Sequence, residues 1–130
     1  MPFMRMKHLV DPAKEIMKEL GDLSDIGVYR NLVLVAIYVR PSQTASGIHL
    51  ADSTKEEDKY QGKVGLIIKH GPQAFIDPEN KWFDGNPPKV GDWVYFRPAE
   101  SWPISVHGVA CRMLDDIDIR GPLQFPDGVW

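Results

Sequence analysis

The chain has 130 residues, a formal net charge of −3, 43% hydrophobic and 25% charged residues, and a single cysteine. That length and balance fit one water-soluble domain with a real core. The acidic balance without a Lys/Arg stripe argues against a nucleic-acid binder, one cysteine excludes an internal disulfide, and no apolar run approaches the ~18 residues of a membrane span.

Residues 1–10, MPFMRMKHLV, carry positive charge but no continuous apolar stretch. They read as an arm rather than a signal peptide, and a cytoplasmic location is expected. The spacing then predicts a short helix over PAKEIMKEL. Asp11 suits the N-cap, Pro12 the first helical position and Gly21 the position after the end. Ile16, Met17 and Leu20 share its apolar face, and a helix this short needs that face docked. From Val28 the pattern turns to β. NLVLVAIYV (31–39) reads as a strand buried on both faces, ended by Pro41. Residues 40–61 are mostly polar and read as a solvated loop, with Ile48 and Leu50 standing out as two large aliphatics inside it.

KVGLIIK (63–69) predicts a second strand, with Gly65 marking a bulge or bend. QAFIDPENKWFDG reads as a hairpin within 73–86, turning at Pro78 between Phe75-Ile76 and Trp82-Phe83. NPPKVGDWVYF predicts a Gly91-Asp92 turn and a further strand. ISVHGVACRML predicts strand broken near Gly108, and DDIDI a turn into a last strand. Short strands with turn signals between them indicate a mainly β chain and a small β-barrel over 28–120, between an arm with a short helix (1–27) and a C-terminal arm (121–130). In that last arm, Gly121, Pro122, Pro126 and Gly128 predict neither strand extension nor helix, while Phe125 and Trp130 are expected to be anchors buried against the N-terminal helix or a neighbouring subunit. Unpaired strand edges are a liability, so a ring or other stable oligomer is expected, joined through 28–39 and 109–120.

No enzyme is read from these residues, and no cofactor or metal. The histidines at 8, 49, 70 and 107 have no ligand-like spacing, and Cys111 sits in a strand pattern that predicts a buried structural thiol. Asp115, Asp116 and Asp118 are an ordinary surface cluster in sequence terms, and no phosphate-binding or nucleophile motif occurs. Ile48 and Leu50 admit two readings. They begin a strand and pack in the core, or they enter an apolar groove on a partner while His49 between them faces water.

In order along the chain, NLVLV, SGIHL, YQGKVGLIIKHGP, KVGDWVYF and CRMLDDIDI resemble the segments of the GroES-like co-chaperonins, the ten-kilodalton chaperonin family. The resemblance spans about Val28 to Arg120, and KVGDWVYF is its most specific piece. It implies a small GroES-like β-barrel, usually assembled as a heptamer that caps a chaperonin ring. In that scheme Ile48, His49 and Leu50 form the docking tripeptide of a mobile-type loop over 40–61. The hairpin at 73–86 stands where the family carries its roof, with Phe75, Trp82 and Phe83 as its assembly contacts. The long terminal arms motivate a second reading, a phage virion subunit (cement, decoration or connector) that uses the same barrel and binds capsid or tail proteins.

Overall fold

A computed structural model describes residues 5–41, 47–49 and 51–129. Its elements in chain order are α1 (Pro12–Leu20), β1 (Leu32–Ile37), α2 (Asp52–Gln61), β2 (Val64–His70), β3 (Trp93–Phe96), β4 (Trp102–Val106), β5 (Val109–Asp115) and β6 (Ile119–Leu123). Helix α1 begins and ends where its caps predict. The Asp11 carboxylate accepts the Ala13 amide at 3.0 Å, Pro12 fills the first position, and Gly21, at φ +68°, donates its amide to the Met17 carbonyl. Leu20 is buried and Ile16 packs on the same cluster, whereas Met17 stays exposed.

The six strands form one antiparallel sheet in the order β4-β5-β1-β2-β3-β6. Strand β5 runs into β6 through one 3₁₀ turn, Asp116–Asp118, although three strands lie between them in that order. In a flat sheet, four spacings of ~4.8 Å would separate them by ~19 Å, beyond what a three-residue 3₁₀ turn spans at ~2 Å per residue. The sheet is therefore strongly curled. Residues 97–101 make the same short crossing from β3 to β4, and Arg120 of β6 pairs with Glu100 beside β4. The backbone ladder nevertheless stays open, with β4 and β6 as its edges. Each edge strand contains a proline, Pro103 or Pro122, and so lacks an amide donor that closure would use.

Alternation along the strands divides the core between two faces. Leu34, Ala36, Leu66, Ile68, Trp93, Val106 and Cys111 lie on one, covered by Leu20 and the segment after α1. Val33, Val35, Ile37, Ile67, Val94, Phe96 and Leu114 lie on the other, with Ala74 and Phe75. Strand β1 is central and contributes to both, as its unbroken apolar run predicts.

Several expectations are corrected. The stretch 52–61 is helix α2 rather than loop, because Lys, Glu and Gln are good helix formers and Gly62 ends the run. The irregularity in the β1–β2 pairing lies between Leu34 and Val35, where Ile68 is the extra residue. Gly65 is instead needed for close approach: a Cβ there would stand 2.9 Å from the Val35 side chain. No hairpin forms over 73–86. Turns replace it, held by Asp77, whose carboxylate accepts the amides of Lys81, Trp82 and Phe83. Gly121 to Leu123 do extend the last strand, as part of β6, and Pro126–Gly128 form a 3₁₀ turn. Segments 28–39 and 109–120 cannot offer open edges through β1 and β5, since both strands are already paired on both sides.

Candidate protein-docking site

The stretch 41–51 connects β1 to α2, and Arg40, at its start, is tied to Asp58 near the C-terminal end of that helix. Asp58, buried on α2, accepts the Arg40 amide at 2.9 Å and the Arg40 guanidinium through Nη2 at 2.7 Å and Nε at 2.8 Å. Both partners are largely out of water, with side chains 17% and 11% exposed. Gly62 lets the end of α2 approach β1 closely, since a Cβ there would meet the Asp58 carbonyl at 2.4 Å and the Ile37 side chain at 2.9 Å.

On the 41–51 stretch, Ile48 is 63% exposed and belongs to neither core cluster. His49 is exposed and lines a groove of about 680 Å³ with Glu15 and Ile16 of α1 and Lys55 and Lys59 of α2. Leu50 lies outside the described residues. The core-packing reading of Ile48 is not what the structure displays.

The other expected contact residues separate. Phe75 is buried, edge-on to Phe83 at 5.4 Å and to His70 at 5.3 Å. Its backbone is left-handed, φ +63°, and its amide donates to the buried carboxylate of Asp116, which also accepts from Asn31. Phe75, and partly buried Phe83, belong to a core cluster of the chain itself. Trp82 does face solvent, 66% exposed, as does Ile76. Phe125 is not buried within its own chain. It is 49% exposed, with the Arg5 guanidinium 5.0 Å over its ring. Trp130 lies outside the described residues. What pins the C-terminal arm is Asp127, 1% exposed, whose Oδ2 accepts the Met6 amide at 2.9 Å and Arg5 Nε at 3.0 Å.

Asp116, expected in a surface cluster, is instead buried, and nothing in the sequence marks Arg40, Asp58 or Asp127. Each sits in an ordinary polar stretch, and its partner is distant along the chain, so no local pattern announces it. Burial pushes the Cys111 thiol up to about 11, opposed by a hydrogen bond from the Val106 backbone. Burial, followed by the Asp127 and Asp58 carboxylates, likewise pushes the Tyr38 hydroxyl up, and that hydroxyl shares a hydrogen bond of 2.6 Å with His8 Nε2. Among the described residues no group of three or more His, Cys, Asp or Glu side chains could hold a metal ion, and no helix is long and apolar enough to cross a membrane. No protein-family model matches the chain, and no curated protein matches it in sequence.

Proposed function

We propose that this protein is a co-chaperonin-like cap, an oligomer that docks on a chaperonin ring through the Ile48–Leu50 segment and assists folding inside the ring. The observation that carries the reading is Ile48, a large aliphatic 63% exposed on the connection between β1 and α2. Further support comes from where the resembling segments fall. NLVLV forms β1, KVGLII forms most of β2 beside it, KVGDWVYF supplies the turn and β3 beside that, and CRMLDDIDI runs through β5 into β6. The strong curl of the sheet suits a GroES-like barrel subunit.

Burying one Ile and one Leu contributes roughly 3–6 kcal/mol. The entropy of fixing the segment on its partner opposes that gain. One segment therefore binds weakly, and a ring of them binds by effective concentration, which suits a lid that must come off again. The alternative of a virion subunit was motivated by arms reaching across neighbours. Here the arms fold back on their own sheet and are tied to each other at Asp127, which favours the cap.

The test is co-sedimentation and electron microscopy with a chaperonin ring and nucleotide. Wild type should cap the rings, and Ile48→Asp should not, while keeping its fold by circular dichroism, because a charge in an apolar groove is disfavoured and one in water is not. Equal capping by the variant, or no capping by wild type alongside its recovery in purified virions, would remove this reading.

A further inference from the structure

His107 occupies the first place of the two-residue turn between β4 and β5, at φ +50°, followed by Gly108 at φ +81°. Such a left-handed position favours Asn, Asp or Gly. The imidazole placed there reaches back to the N-terminal arm. Its Nδ1 lies 2.6 Å from the Leu20 carbonyl oxygen at the end of α1, and its Nε2 lies 3.0 Å from Oδ2 of Asp25 in the loop beyond. A carbonyl and a carboxylate are both acceptors, so both ring nitrogens must donate at once. Only the imidazolium can do so. We propose that His107 is a proton-operated latch, which as the cation fastens the end of α1 and residues 21–26 to the β4–β5 turn and on losing its proton loosens that arm from the sheet.

The surrounding charges agree. The Leu20 carbonyl and then the Asp25 hydrogen bond hold the ring above its ordinary value of 6.5, with Asp25 and Asp22 adding favourable charge and burial opposing them. From β2, Lys69 fastens the same loop differently, its ammonium donating to the carbonyls of Leu23 and Ile26. The turn's neighbours Val106, Gly108 and Val109 carry no charge. Because the folded value lies above the unfolded one, the latch contributes fully below the unfolded value and is lost as pH rises through the folded one. Leu20 is buried in the same cluster as Val106 and Cys111, so the loosened arm uncovers that face of the sheet.

The experiment is NMR on the full chain, following the His107 ring and amide exchange at Gly21 and Ile26 across the titration. His107 should titrate above 6.5. Wild type should protect those amides about 2- to 5-fold better than His107→Asn below the titration, the range of a partly exposed ion pair, and equally above it. Asparagine tolerates the turn and cannot titrate. Exposed Asp25→Asn gives a second handle if that variant misfolds, and there the ring should titrate closer to 6.5. A ring titrating below 6.5 in wild type, an unmoved titration in Asp25→Asn, or a protection ratio that ignores pH would overturn the latch.

Discussion

Replacing Asp58 by alanine should expose how much of this fold hangs on one carboxylate. Asp58 satisfies both the Arg40 amide and the Arg40 guanidinium, and that guanidinium side chain is 17% exposed. Deleting one partner of a buried pair costs about 3–5 kcal/mol, because the other charge stays behind without its main counter-charge. Residual access of water to Arg40 places the expected loss at the low end, about 3 kcal/mol. With 130 residues and an unfolding entropy of ~2.1 cal/mol/K per residue, that corresponds to a fall in Tm of ~11 °C. Calorimetry and urea unfolding should both record it. The double variant Arg40→Met/Asp58→Leu should recover most of the loss, since neither buried charge is then present. A loss below about 1 kcal/mol for Asp58→Ala would mean that the pair behaves as a screened surface contact, and the account of α2 as clamped to β1 would be wrong.

Two further outcomes follow from packing. Gly65→Ala should cost about 1–3 kcal/mol in urea unfolding, because its methyl would stand 2.9 Å from Val35 between two paired strands. An unchanged midpoint would show that β1 can shift to admit it. Cys111, with its thiol pushed up to about 11, should react with iodoacetamide at pH 8 on the order of 100-fold more slowly in the native protein than in denaturant. Comparable rates would mean that this face of the core opens readily.

Features encoded within a few residues were readable in advance. Asp11, Pro12 and Gly21 bound α1 because capping chemistry is local, and His107-Gly108 and Gly91-Asp92 mark turns for the same reason. The apolar run of β1 declared its burial on both faces because a period-two pattern with no polar gap leaves no wet side. The stretch 52–61 was misread because polarity says only that a segment faces water, and a solvated helix is as polar as a solvated loop. Phe75 and Trp82 look alike in the sequence, as aromatics of one expected hairpin. Asp77 folds that stretch into turns, and Asp116 draws Phe75 inward.

A mainly β domain, its first helix, most strand positions and an aliphatic in polar surroundings at Ile48 can thus be read along the chain. Tertiary structure alone decided the strand order, the open edges at β4 and β6, and the partners of Arg40, His107, Asp116 and Asp127. The physical reason is separation along the chain. Caps, turns and alternation act over a few residues, whereas His107 meets Leu20, and Asp127 meets Met6, only after the sheet has curled and brought distant backbone together.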